Sequence, residues 1–222
     1  PGQMQQLKEN AYPEFRSKVI HTLFSEDLES ELDRICREAE QAIAEGVSLL
    51  ILSDKNMSKE KAAIPSLLAA SALHQELIRH GNRTKVSIIV ETGETREVHH
   101  FAALIGYGVD AIYPYLAFET YKQAVSEGSL SISYEETVNK YVRSLTEGIV
   151  KVMSKMGIST IQSYRGAQIF EAVGIGAEVI ERYFSGTASQ LSGIDLVTIA
   201  DEALIRHRKA AADSLDQTLE SG

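Results

Sequence analysis

Cysteine occurs once in 222 residues, and that scarcity removes several chemistries at once. Cys36 alone cannot form an internal disulfide, a cysteine-rich zinc site or an iron–sulfur cluster, because each needs several thiolates in one place. Long apolar runs are also missing. Stretches such as Leu49 to Leu52 fall far short of the roughly 18 residues that a membrane span requires, so no membrane helix is expected. A basic surplus is missing too: the net charge is −9 and the isoelectric point near 5.2, which disfavours a nucleic-acid surface built from concentrated Lys and Arg. No signal-peptide pattern opens the chain, and the reducing cytoplasm is the expected compartment. The chain begins with Pro1 rather than Met and ends in a polar, flexible tail from Asp213 to Gly222. Both ends are therefore expected to be cuts in a longer polypeptide.

What is present suits one globular α/β domain over residues 1–212. The chain is long enough to bury a core without staples, and its 44% hydrophobic and 24% charged residues lie in the ordinary range. Most of the acidic excess sits in one helix-like stretch, 25–45, where eight acids face only Arg34 and Arg37. A solvated helix face explains it.

Short β-branched runs alternate with longer amphipathic ones. Lys18 to Phe24 predicts a strand, followed by a helix that Ser25 can cap and Gly46 can end. Ser48 to Leu52 is almost continuously apolar, as a strand buried on both faces would be. After a polar loop from Ser53 to Lys61, Pro65 opens a helix that Gly81 closes. Lys85 to Glu91 predicts a third strand, Arg96 to Ile105 a helix, and Ala111 to Tyr113 a fourth strand. Helices follow over Ala117 to Ser126 and Ser133 to Met156, the second with a Ser133 and Glu136 capping box. Ser159 to Ser163 reads as a fifth strand, with helices over Ala167 to Val173, Ala177 to Phe184 and Asp195 to Ala212. Gly46 to Ile51 echoes Thr84 to Ile89, an offset of one βα unit. Repeated strand then helix implies parallel strands with right-handed crossovers. Five strands are too few for a complete barrel, which takes about 250 residues, so an incomplete (β/α) barrel-like domain is expected.

Ligands in such folds gather where strands end and helices begin. The candidates there are Ser53 and Asp54, Glu91 and Thr92 with Gly93, Tyr113 with Tyr115, and Ser163 with Tyr164 and Arg165. Val90 to Val98, followed by Gly108-Val109-Asp110-Ala111, has the shape of a phosphate-gripping βα unit of flavin barrels, but Glu91, Glu94 and Glu97 would repel an anion. Adjacent His99 and His100 point about 100° apart on a helix and cannot easily share a metal. His74, Glu76 and His80 lack metalloprotease spacing. No nucleophile elbow surrounds Ser163 or Ser189, Cys36 falls mid-helix, and Gly174-Ile175-Gly176 reads as a turn. The residues thus assign no catalytic, cofactor or metal ligand, and the aromatics from Tyr107 to Tyr121 fit packing better than base stacking.

Long runs of the sequence resemble the large chain of the glutamate synthase family. They are Val90-Glu91-Thr92-Gly93-Glu94-Thr95-Arg96-Glu97-Val98-His99-His100-Phe101, Pro114 to Glu119, Lys151 to Thr160 and Gln162 to Ala172, with shorter matches from Tyr12 to Arg208. The family pattern would place Arg at Lys55 and Asn at Tyr113. The resemblance implies a parent with an N-terminal glutamine amidotransferase, a central α/β domain, an FMN barrel with an iron–sulfur cluster, and a β-helix. This segment matches the central domain, so FMN and the cluster belong to the parent and no cofactor to the segment itself. The implied role is a non-catalytic connector between amidotransferase and FMN domains. A remnant barrel with its own flavin or phosphate site, and a regulatory or assembly surface, are the alternatives. The polar strand-end segments are the expected docking contacts: Glu91, Thr92, Glu94, Arg96, Ser163, Tyr164, Arg165 and Gln168, with Arg165 and Glu94 foremost.

Overall fold

A computed structural model describes residues 2–12 and 14–212. The expected polar tail, 213–222, lies outside the described residues. The chain opens with a short helix, α1 (Gly2–Lys8), and a strand, β1 (Ser17–His21). Thr22 then breaks the expected single strand, and β2 (Leu23–Phe24) turns away to pair antiparallel with β4 (Ala62–Ala63). Between them lie α2 (Leu28–Ala44) and β3 (Leu49–Ser53). Asp27, not Ser25, caps α2, its carboxylate accepting from Ser30 N at 3.0 Å. The chain continues through α3 (Ser66–Arg79), β5 (Ser87–Glu91), α4 (Val98–Gly106) and β6 (Ala111–Tyr113).

Strands β1, β3, β5 and β6 form one parallel sheet in that order. Sequence order across the sheet is that of a barrel wall rather than of a doubly wound fold, and the wall stays open. The internal echo in the sequence is the sheet register itself, since Leu49, Leu50 and Ile51 pair with Ser87, Ile88 and Ile89. Alternation then sorts the side chains. Ile20, Leu50, Leu52, Ile88 and Val90 join the helices in the main core, with Leu32, Ile35, Leu73, Leu77 and Leu104. The opposite face carries Ile51 and Ile89, which Met4 of α1 covers together with Leu7 and Tyr113. Both faces are therefore closed, one by helices and one by a single short helix.

The second half packs around this wall. Helices α5 (Tyr115–Ser126) and α6 (Tyr134–Lys155) follow, and Ser133 caps α6 as expected by accepting from Glu136 N at 3.1 Å. The expected strand at Ser159 to Ser163 is instead the start of α7 (Ile161–Tyr164). Thr160 diverts it, its hydroxyl accepting from Ser163 N at 3.2 Å, a local bond that competes with extended structure. The expected helix at Ala167 to Val173 is also replaced: β7 (Glu171–Ile175) pairs parallel with β8 (Ala188–Ile194), which sequence periodicity did not predict. Glycine permits this ladder, because a Cβ on Gly193 would run into the Gly174 carbonyl. Helices α8 (Ala177–Tyr183) and α9 (Leu196–Ala212) complete the chain, and Val179, Tyr183, Ala200, Ala203 and Leu204 enter the main core.

Candidate functional site

Parallel pairing places Ser53 beside Glu91 at the C-terminal ends of β3 and β5, where the polar strand-end residues collect. Glu91 is only 1% exposed. Its Oε2 accepts from Lys8 Nζ at 2.6 Å and from Ser53 Oγ at 2.5 Å, while Lys55 Nζ stands 3.4 Å from Oε1. Burial on its own would push this carboxyl up. The bonds from Lys8 and Ser53 and the two ammonium charges outweigh burial and hold it below its ordinary value. The Lys55 ammonium also lies over the Tyr115 ring at 4.8 Å and the Tyr113 ring at 5.8 Å. Lys55 and Tyr113 thus face each other.

Asp54, 2% exposed, forms the second half of the cluster. It accepts from Thr92 Oγ1 at 2.6 Å, from Gly93 N at 3.0 Å and from the Tyr115 hydroxyl. Burial dominates here and raises the carboxyl despite those three donors. Burial likewise raises the Tyr115 hydroxyl, with the Asp54 charge adding to it. Glu94 turns the other way. Its carboxylate accepts from Ser66 N at 2.6 Å, at the first residue of α3. A helix N-terminus attracts an anion, and here the chain's own side chain occupies that place. Beside it a cleft of about 570 Å³ opens between the starts of α3 and α4, lined by Glu94, Thr95, Arg96, His99, His100 and Leu116.

The second polar segment lies elsewhere. Tyr164 is fully buried, with its hydroxyl donating to Ala102 O at 3.1 Å. Arg165 pairs with Asp110, which also takes Arg83 Nη2 at 2.9 Å and the Ile88 amide at 2.8 Å. Gly166 N donates to Gly106 O at 2.9 Å, at the end of α4. Gln168 is exposed and borders a separate cavity of about 310 Å³ with His74, Tyr107, Phe170 and Thr187. The two segments therefore flank opposite ends of α4, and the structure does not bring them into one continuous patch. Glu91, Thr92 and Tyr164 are buried, and Arg165 is half-buried in an ion pair. Glu94, Arg96, Ser163 and Gln168 remain exposed.

The histidines have separate partners. His99 meets Phe170 edge-on at 6.1 Å, while His100 Nδ1 accepts from Arg96 N at 3.2 Å. His80 stands between Glu40 and Glu76, at 3.2 and 3.7 Å. His74 Nδ1 accepts from Arg83 Nε at 2.9 Å, and burial, then the Arg83 charge, lowers this ring to about 4. Burial, then Glu76 and Asp33, pushes the Cys36 thiol up to about 12. Sequence reasoning missed Lys8, Arg83 and Asp110. The Met4 and Leu7 spacing is the one signal that could have exposed the short helix carrying Lys8. Arg83 opens a short 3₁₀ turn (Arg83–Lys85) and Asp110 sits in a loop, and neither has a periodicity to mark it.

Among the described residues, no helix is long and apolar enough to cross a membrane, and no group of three or more His, Cys, Asp or Glu could hold a metal ion. Comparison with known proteins gives a consistent result. The sequence model of the family described as "Glutamate synthase central domain" matches residues 1–176. The chain is 68% identical over 216 residues to the glutamate synthase (NADPH) large chain of Bacillus subtilis, covering 97% of this chain and 14% of that protein. It is 42% identical to the ferredoxin-dependent glutamate synthase of Pyropia yezoensis, over 90% of this chain and 14% of that one. It is 40% identical to the glutamate synthase (NADH) of Saccharomyces cerevisiae, over 94% and 10%. The chain thus spans a seventh or less of these relatives.

Proposed function

The chain belongs to the glutamate synthase central domain family, and from that premise we propose that residues 1–212 act as a non-catalytic connecting domain in a cytoplasmic glutamate synthase. The resemblance implies a parent that makes glutamate from glutamine and 2-oxoglutarate, with ammonia passed internally. FMN and an iron–sulfur cluster would be held by other regions. The neighbours in that polypeptide are a glutamine amidotransferase region and an FMN barrel, and this domain fixes their spacing. Relatives named for NADPH, NADH and ferredoxin all match nearly the whole chain. Choice of electron donor therefore lies outside this segment.

One observation carries the connecting role: at the sheet edge where α/β enzymes hold ligands, this chain's own groups answer each other. Glu91 is bound by Lys8 and Ser53, Asp54 by Thr92 and Gly93, and Glu94 by Ser66 N. The exposed residues Glu94, Arg96, Ser163 and Gln168 are the direct docking contacts in this proposal. Glu91, Thr92, Tyr164 and Arg165 hold the backbone that presents them. In the full-length enzyme, Glu94→Ala and Gln168→Ala should leave glutamine hydrolysis and ammonia-dependent glutamate formation measurable. The ratio of glutamine hydrolysed to glutamate formed should rise. An unchanged ratio in both variants would mean that these segments do not couple the neighbouring domains.

A further inference from the structure

Strands β7 and β8 form a two-stranded parallel ladder that pairs with nothing else among the described residues. Parallel strands are ordinarily covered on both faces, and a lone two-stranded ladder is marginal in water. This one exposes apolar side chains: Val173 is 68% exposed, Leu191 62%, and Val197 at the start of α9 67%. The two edges differ. β7 carries Glu171, a charge of the kind that blunts an edge, whereas β8 reads Ala-Ser-Gln-Leu-Ser-Gly-Ile, with no charge and no proline over seven residues. β8 also carries the extra residues where the register slips, opposite Ala172–Val173 and Val173–Ile175, so its uncharged edge is open but bulged.

Chain order says from which side that strand arrives. β7, α8, β8 and α9 follow one another as a βαβα unit, and a further right-handed crossover after α9 delivers the next parallel strand to the outer edge of β8. The sequence model of the central domain ends at residue 176, between β7 and β8. The ladder therefore straddles the C-terminal limit of that match. In the relatives about nine-tenths of the polypeptide lies outside this segment.

We propose that the free edge of β8 is the docking edge for a third parallel strand, supplied by the same glutamate synthase polypeptide beyond residue 222, whose side chains flank Leu191. This names one partner surface for the connecting role and rests on that role only in requiring the longer chain. The test uses the full-length enzyme. Hydrogen exchange of the peptide spanning Ala188–Ile194 should be as slow, within tenfold, as that of the β3 peptide. A photo-reactive residue at exposed Gln190 should cross-link to sequence C-terminal of residue 222 in the same chain. Exchange within tenfold of an unstructured peptide overturns the proposal, whether or not the Gln190 variant folds. So does a cross-link to residues 213–222, to sequence N-terminal of this domain or to another copy, or no cross-link at all. Because the coupling ratio of Glu94→Ala is measured separately, free exchange of β8 beside a raised ratio would refute this inference alone.

Discussion

Replacing Lys8 by Met tests whether the buried carboxylate cluster holds the sheet edge together. Met keeps most of the aliphatic stem and removes only the ammonium. Glu91 is 1% exposed and Lys8 22%, with Nζ and Oε2 2.6 Å apart. Removing one partner of a fully buried pair costs about 3–5 kcal/mol, and an exposed pair is worth about 0–1 kcal/mol. This pair falls between them, because Ser53 Oγ stays at 2.5 Å and Lys55 Nζ at 3.4 Å to share the remaining charge. A loss of about 2 kcal/mol is expected, which at a urea slope of about 2–3 kcal/mol/M lowers the unfolding midpoint by about 0.7–1 M. The pH dependence gives a second readout. Glu91 is held below its ordinary 4.5, so its contribution is complete above that pH and is lost as pH falls through the folded value. Without Lys8 the burial effect gains ground, Glu91 rises, and the acid limb of the stability curve moves to higher pH. Glu91→Gln should remove that limb's contribution altogether. A loss below about 0.5 kcal/mol with an unmoved acid limb would refute the cluster as an energetic unit.

His74, lowered to about 4, should stay neutral with its proton on Nε2 through pH 5–8. Its contribution is lost only as pH falls from about 6.5 toward 4, and an NMR titration midpoint near 6.5 would contradict this. Asp54→Ala should cost about 2–4 kcal/mol in urea unfolding by stranding the Thr92, Gly93 and Tyr115 donors. Asp54→Asn should cost clearly less, and equal losses would sink the network account. Gly148→Ala should destabilise by about 1–3 kcal/mol despite its gain of about 1 kcal/mol in helix propensity, because the new Cβ meets Val98 where α6 crosses α4. Val98→Ala should rescue it, and a stabilised single variant would show that the crossing gives way.

The first half of the fold was legible because its signals are strong and mutually consistent. Ser48 to Leu52 and Lys85 to Glu91 are apolar on both faces, and the structure places them as the two central strands. Their sequence echo is their register, since consecutive βα units stack strand against strand. The second half was less legible because short-range chemistry competes there with periodicity. Thr160 offers a cap that turns an apparent strand into α7. Val173 and Leu191 sit in a ladder whose faces are exposed, so no inside and outside alternation marks it. Gly174 reads as a turn former locally, but together with Gly193 it permits close backbone approach across that ladder.

The site was legible in residue type and not in geometry. Glu91, Glu94 and Glu97 read in the sequence as a barrier to phosphate, and the structure gives the first two different partners. Glu91 points inward to Lys8, 83 residues away, and Glu94 reaches Ser66 N, 28 residues away. No local pattern records either partner. These contacts change what the strand-end acids mean. An α/β enzyme commonly leaves its helix N-termini open at this edge, so that a bound anion completes them and the site tightens only when occupied. Here Glu94 completes α3 in cis, and Asp54 answers the Gly93 amide in the same way. The donors at this edge are therefore answered from within the chain, independently of any ligand. A domain proposed to hold an amidotransferase and an FMN barrel at fixed separation needs that independence. If its own edge breathed with substrate, the distance it sets would vary with turnover.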